Sequence, residues 1–297
     1  YQPKNFDKQF RGEVTMYDAV VNSYNVPPVW LLNQIGLQQG TKAVEEFGIP
    51  LQEKDHALGI ALGGMHEGTS PLAMAQAYTT FANNGAMVEA HSIKKIRDSD
   101  GKVIAQWKSK STAVTKPEVA QKITYMLRGV VKEGTGKKAF MDGIDIAGKT
   151  GSTQLPFAND AGTKDHWFVG YTPDIVGAVW LGYDQTDENH YLAASSSGTT
   201  PVIFKEILTK SKSELSDDKF ALTTVEKKYK NEIKKIKEKE EKARKEKEKE
   251  DKEKNKEKNK GKGEGRGKEK NKEKKDKGKE RDKEEEDEDE EDEDEDE

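Results

Sequence analysis

Ile144-Asp145-Ile146-Ala147-Gly148-Lys149-Thr150-Gly151-Ser152-Thr153 is the stretch on which the fold of this chain turns. It is the first of three strand candidates; His166 to Tyr171 and Ile175 to Tyr183 follow, both rich in β-branched and aromatic residues. They lie close together in sequence, which favours an antiparallel meander over parallel crossovers. Lys149 sits in the first strand with Gly148 and Gly151 about it, and a glycine in a strand lets another backbone approach closely. Thr150 and Ser152 alternate with Gly151, so their hydroxyls are expected on one side of the strand.

Working outward, the meander is preceded by a helix over Pro117 to Val131, with Val119, Ile123, Met126, Leu127 and Val130 at helical spacing. Pro71 opens another over Leu72 to Asn83, whose Ala73, Ala75, Ala77 and Ala82 permit close packing. Between them, Ser92 to Trp107 reads as a hairpin turning at Asp98-Ser99-Asp100-Gly101. Near the start, apolar residues recur at helical spacing from Thr15 to Gly36, but Pro27 and Pro28 cannot lie in a helix interior. The chain is therefore expected to break at Asn25 to Pro28, leaving Ser23 and Asn25 of Ser23-Tyr24-Asn25 on a bend between two helices. Thr41 to Phe47 reads as a short helix stopped by Gly48 and Pro50, Ala61 to Thr69 as a glycine-rich loop, and Pro201 to Lys210 as a closing helix. Helices on both sides of an antiparallel sheet make an α+β domain.

Composition divides the 297 residues in two. Up to Lys210 there are 21 Lys and Arg against 22 Asp and Glu, with aromatic and aliphatic residues spread as in an ordinary core. From Ser211 onward there are 30 basic and 34 acidic residues, and scarcely an apolar one after Ile236, so a core is not expected there. The domain expectation is a folded unit over 1–210, a charged and partly helical linker over 211–260, and a disordered tail over 261–297. The tail is a block polyampholyte: residues 211–283 are net +10, and Glu284 to Glu297 is an unbroken run of 14 carboxylates. The chain has no cysteine, which excludes disulfides and thiolate metal sites, and its five scattered histidines suggest no metal centre. No apolar run approaches the roughly 18 to 20 residues of a membrane span.

Ser23-Tyr24-Asn25 and Lys149-Thr150-Gly151-Ser152, in that order, are accompanied by Gly12-Glu13-Val14-Thr15 and Ala61-Leu62-Gly63-Gly64. Further along come Ser70-Pro71-Leu72-Ala73-Met74-Ala75-Gln76-Ala77-Tyr78, Gly134-Thr135-Gly136, and Asp165-His166-Trp167-Phe168-Val169-Gly170-Tyr171-Thr172-Pro173. Together these resemble the C-terminal two thirds of the transpeptidase domain of class A, bifunctional penicillin-binding proteins of low-GC Gram-positive bacteria. The resemblance implies the penicillin-binding and serine β-lactamase-like fold with its N-terminal part missing. It implies a serine D,D-transpeptidase that cross-links peptidoglycan stem peptides and is acylated by β-lactams. It further implies catalytic roles for Ser23, Asn25 and Lys149: Ser23 relays a proton to the leaving group, Asn25 holds the substrate amide, and the Lys149 ammonium lowers the proton affinity of nearby hydroxyls. Thr150, Gly151 and Ser152 are implied as substrate-binding, the hydroxyls holding a carboxylate and the Ser152 N–H forming half of an oxyanion hole. No cofactor is implied, and no nucleic-acid partner is expected.

The family's nucleophile lies in a helical Ser-x-x-Lys ahead of the Ser-x-Asn element, and no serine precedes Ser23. Ser92/Lys95, Ser99/Lys102 and Ser216/Lys219 match the spacing, but they come later and fall in a hairpin or a charged segment, where residues three apart do not stack as on a helix. The nucleophile, the membrane anchor and a glycosyltransferase domain are therefore expected upstream, in a protein at the extracytoplasmic face of the cell membrane. Two other functions compete: a non-catalytic truncated fragment acting as a wall- or membrane-binding scaffold, and a β-lactamase or carboxypeptidase. The basic tail block could meet anionic wall polymers or lipid headgroups, although a solvated spacer is the plainer expectation. Trp167 and Phe168 are expected in the core, and His166 facing solvent.

Overall fold

The computed structural model describes residues 2–157, 162–193 and 195–229, and beyond them 231–232, 234–239, 241–246 and 249. Helix α1 (Met16–Val21) is capped by Thr15, whose hydroxyl accepts the Asp18 N–H. Helix α2 (Val26–Ile35) carries both prolines in its first turn, where no N–H is needed, and Gly36 ends it. Helix α3 (Leu37–Glu46) follows directly, and α4 (Pro71–Ala82) is capped by the Ser70 hydroxyl. Strand β1 (Ala86–Val88) pairs antiparallel with β4 (Ser111–Ala113), and between them β2 (Lys95–Arg97) and β3 (Val103–Gln106) form the exposed hairpin. Helix α5 (Pro117–Glu133) leads to β5 (Ala147–Gln154), β6 (Thr163–Tyr171) and β7 (Val176–Gly182), and α6 (Ser196–Lys210) closes the order. Among the described residues no helix is long and apolar enough to cross a membrane.

The meander is as expected: β5, β6 and β7 form a three-stranded antiparallel sheet in sequence order. Its register places Gly148, Gly170 and Gly177 side by side across all three strands. A Cβ at Gly170 would fall 2.7 Å from the Phe168 ring and 2.9 Å from the Phe204 ring, so this row is a trough that only glycine leaves open. Phe204 of α6 lies in it, its ring centroid 5.1 Å from that of the fully buried Phe168. On the opposite face α4 and α5 meet Tyr171, whose hydroxyl is 2.9 Å from Thr124 and whose ring stands edge-on to Tyr78. Helices thus cover both faces of an antiparallel sheet.

Three boundaries differ most from the sequence expectation, and smaller shifts place the first bend at 22–25 with Pro27 and Pro28 already in α2, β5 from Ala147 and β6 from Thr163. Helix α3 begins at Leu37 rather than Thr41 and so includes Gly40, which is pressed against α2: a Cβ there would lie 2.1 Å from Leu32 Cδ1. Helix α6 begins five residues before Pro201. The short β1–β4 pair has too few residues for a pattern to register.

The third difference is the end of the folded unit. The compact part runs from Tyr1 to Ile233 rather than stopping at Lys210. Past α6, the Ser216 N–H and hydroxyl bond the Asp174 carboxylate, and the Phe220 N–H donates to Asp145. The Phe220 ring stands edge-on to Tyr171 at 5.3 Å, and Leu222 and Val225 are buried. Arg128 pairs with both Asp145 and Glu226, and the Lys122 ammonium lies 5.1 Å over the Tyr229 ring. Charge counting hid this strap because two or three apolar anchors are enough to seat a segment whose other residues face water. In the second unit, Lys234 to Glu297, helical turns at 234–239 and 241–246 carry the exposed pairs Lys234–Glu238 and Glu241–Lys245, of the kind expected for the linker. The expected disordered tail, 261–297, lies outside the described residues.

If the strap completes the core, Leu222→Ala should lower unfolding free energy by about 2–5 kcal/mol, as for other buried leucines. Ile236→Ala, at an exposed position, should change it by less than about 0.5 kcal/mol. Urea unfolding followed by circular dichroism checks both.

Candidate active site

Ser23 owes its position to how α1 ends. The Tyr24 N–H bonds the Ala19 carbonyl at 2.9 Å and the Ser23 N–H bonds the Val20 carbonyl at 3.3 Å, the paired bonds of a Schellman C-cap. The residue after the cap must then be left-handed, and Ser23 has φ +57°. Glycine usually fills this position. A serine kept there at a conformational cost of about 1 kcal/mol points to a use for its hydroxyl.

That hydroxyl accepts a hydrogen bond from Lys149 Nζ at 2.6 Å, across 126 residues of chain. Lys149 projects from one face of β5, also donates to the Thr150 carbonyl at 3.0 Å, and has its ammonium pulled down from 10.5 to about 8 by burial. Thr150 and Ser152 project from the other face of the same strand, as expected. Thr150 is buried, its hydroxyl 2.7 Å from that of Thr135, and the Ser152 hydroxyl donates to Ser196 at the start of α6 at 2.7 Å. Gly151 lies opposite Trp167, whose Cβ a side chain at Gly151 would approach to 3.2 Å. Since β5 is an outer strand of its sheet, two side-chain rows flank one strand edge.

Asn25 is not brought to this group. Its side chain donates to the Lys4 carbonyl at 2.8 Å, and its N–H donates to the buried Asn5 side chain at 2.9 Å. His166 departs from expectation: it is 1% exposed, not solvent-facing. It shares the Thr150 and Ser152 face and lies under α6, between the Thr163 hydroxyl at 2.7 Å and the Thr199 hydroxyl at 3.1 Å. Phe168 is in the core as expected, while Trp167 is half-buried against Trp180. None of the three Ser-x-x-Lys matches lies on a helix. Among the described residues no group of three or more His, Asp or Glu is arranged for a metal ion.

Sequence reasoning missed Thr135 and Ser196 as neighbours of this strand. Gly134-Thr135-Gly136 was visible as a motif, whereas Ser196 lies ahead of the helix expected from Pro201, and neither pointed to β5.

Two outcomes follow. A folded-state value near 8 means the unfolded chain binds more protons than the native one between about pH 8 and 10.5. The Lys149 contribution therefore makes the fold more stable as pH rises through that window. An NMR titration of lysine side-chain resonances, with Lys149→Ala for assignment, should show one lysine titrating near 8. Ser23→Gly should be more stable than Ser23→Ala by about 1 kcal/mol, because both lose the hydroxyl but only glycine relieves the left-handed backbone; thermal unfolding of the two variants decides it.

Comparison with known proteins accords with this geometry. A family model, the penicillin binding protein transpeptidase domain, matches residues 1–209. Penicillin-binding protein 1F of Bacillus subtilis (strain 168) is 48% identical over 209 residues, covering 70% of this chain and 29% of that protein. Penicillin-binding protein 2a of Streptococcus pneumoniae serotype 2 (strain D39 / NCTC 7466) is 44% identical over 195 residues, 66% of this chain and 26% of that protein. The chain thus spans less than a third of the length of these relatives. In three dimensions it is similar to the penicillin-binding protein PonA1 of Mycobacterium tuberculosis, with TM-score 0.64 and 25% identity over 73% of this chain and 61% of that one. The D,D-transpeptidase domain of a peptidoglycan glycosyltransferase from Eggerthella lenta has the same fold, with TM-score 0.57 and 22% identity over 70% of this chain and 55% of that one. On the match of residues 1–209, and with antiparallel strands carrying Lys149-Thr150-Gly151-Ser152 against Ser23, this chain belongs to the transpeptidase domain family of penicillin-binding proteins.

Proposed function

We propose that this chain supplies one wall of the acyl-transfer site of a peptidoglycan D,D-transpeptidase. The observation that carries the proposal is the 2.6 Å contact between Lys149 Nζ and Ser23 Oγ. A lysine with a loosely held proton, bonded to a hydroxyl on a strained turn, is a proton relay rather than a structural ion pair. The attacking serine belongs to a Ser-x-x-Lys helix elsewhere in the whole protein. Its oxygen adds to the penultimate D-Ala carbonyl of a stem peptide, and its proton passes through Ser23 and Lys149 to the departing D-Ala amine. The amine of a neighbouring peptide then attacks the acyl-serine, forms the cross-link and returns the proton to the serine.

The other residues serve this chemistry by position. Thr150 and Ser152 donate to the carboxylate of the peptide or of a β-lactam, and the Ser152 N–H supports the oxyanion. The edge of β5 that pairs with no strand among the described residues receives the peptide backbone as an added strand. Asn25 holds the substrate amide after its bond to Lys4 opens. The whole protein works at the outer face of the cell membrane, held by an anchor outside this chain. The basic block at 211–283 serves as a solvated spacer, with contact to anionic wall polymers or lipid headgroups as the alternative role.

On this account the chain alone, incubated with a fluorescent penicillin, forms no covalent adduct, and stoichiometric labelling of any residue would refute the assignment of the nucleophile. In the longer protein, Lys149→Ala should nearly abolish acylation by the same reagent. Wild-type acylation kinetics in that variant would remove Lys149 from the site.

A further inference from the structure

The geometry points to Thr135 as a positioning residue of this site: its hydroxyl aims the Thr150 proton at the ligand carboxylate, and its backbone ties that hydroxyl to the Ser23 turn. The inference rests on the functional reading above and adds a residue that its chemistry does not use.

Thr135 stands on the turn between α5 and β5. Its N–H donates to the Val21 carbonyl at 3.2 Å, two residues before Ser23, and its hydroxyl is 2.7 Å from the Thr150 hydroxyl, one residue after Lys149. One residue thus touches both arms that bring Ser23 and Lys149 together. Glycines fix its place on either side. A Cβ at Gly134 would fall 2.2 Å from the Val21 carbonyl oxygen, and one at Gly136 would lie 3.2 Å from the Phe168 ring. The turn is therefore pressed against α1 on one side and the sheet core on the other, and Thr135 has little freedom to move away from Thr150.

Hydroxyl arithmetic does the rest. Thr150 has one proton to give and two lone pairs with which to accept. If it gives that proton to Thr135, nothing remains for a carboxylate. If Thr135 donates instead, the Thr150 oxygen is satisfied as an acceptor and its own proton is free to point at the ligand. A ligand carboxylate accepts only, so its arrival selects the second arrangement, and the donated bond from Thr135 strengthens the Thr150 donor through the hydrogen-bond chain. Without the Thr135 hydroxyl, the buried Thr150 hydroxyl loses its orienting partner. The loss then falls on ligands that carry a carboxylate and spares those that do not.

The test measures binding to the full chain, by NMR shift titration, of an N-acyl-D-Ala-D-Ala peptide and of the same peptide with a C-terminal amide. Thr135→Val, which keeps the shape and removes the hydroxyl, should weaken binding of the acid about tenfold and leave the amide unchanged, the size expected for a hydrogen bond to a charged group. Thr135→Ser should restore the preference for the acid. An unchanged preference in Thr135→Val, an equal loss for both peptides, or no preference in the wild-type chain would overturn the inference. Lys149→Ala separates the two levels. Loss of binding there with no effect of Thr135→Val rejects only the role of Thr135, whereas wild-type binding in Lys149→Ala counts against the functional reading itself.

Discussion

The structure depends on a row of three glycines. Gly148, Gly170 and Gly177 stand side by side across β5, β6 and β7, and the space their missing side chains leave is filled by the rings of Phe168 and Phe204. Aromatic burial of this kind is among the larger single contributions a small core can make. Its consequence is directional as well as energetic. By seating α6 close to the sheet, the trough brings the start of that helix over the far end of β5 and β6, where Ser196 reaches Ser152 and Thr199 reaches His166. A side chain anywhere in the row would lift the helix and break these contacts together.

The site adds a second close approach of the same kind. Gly134 lets the turn after α5 touch the carbonyl end of α1, so that the two arms holding Ser23 and Lys149 are clamped against one another by backbone. Against this rigid frame two unfavourable features are tolerated: a left-handed serine and a lysine taken out of water. Both cost stability, and both fall on the two residues that meet at 2.6 Å. Strain and desolvation concentrated at one contact, inside a frame that does not yield, is the arrangement expected where a protein exchanges stability for chemistry.

At the other end of the sheet the strap of residues 211–229 does the opposite work. Phe220 covers Tyr171, Leu222 and Val225 are buried, and Arg128 is held between Asp145 and Glu226. These contacts run along α5, the helix whose last turn leads into Thr135. They also lie beyond the residues that the family model matches, which end at 209. Through Phe220 and the Arg128–Glu226 pair the strap packs against the helix that leads into the site.

Much of this was legible in the chain itself. Pro27 and Pro28 announced a break close to Ser23, although they lie in the first turn of α2 and the bend itself falls at residues 22–25; hydrophobic period placed α4 and α5, and three short β-rich runs announced an antiparallel meander, because these features depend on neighbours a few residues apart. Lys149, Thr150 and Ser152 could be placed on one strand, and Ser23 on a bend, for the same reason. What the sequence could not determine was who meets whom. Ser23 meets Lys149, Thr135 meets Thr150 and Ser196 meets Ser152, whereas Asn25, two residues from Ser23, is turned away to the Lys4 carbonyl. His166, polar and expected at the surface, is buried because two threonines, one of them on a distant helix, satisfy its ring nitrogens. The strap, charged enough to pass for a linker, is anchored by Phe220, whose ring partner is Tyr171, and by Glu226, which pairs with Arg128, both partners lying far earlier in the chain. Local propensity and period are properties of short segments and can be read from them. Burial, partner choice and the proton affinity of Lys149 are set by contacts that exist only once the sheet and its helices have closed.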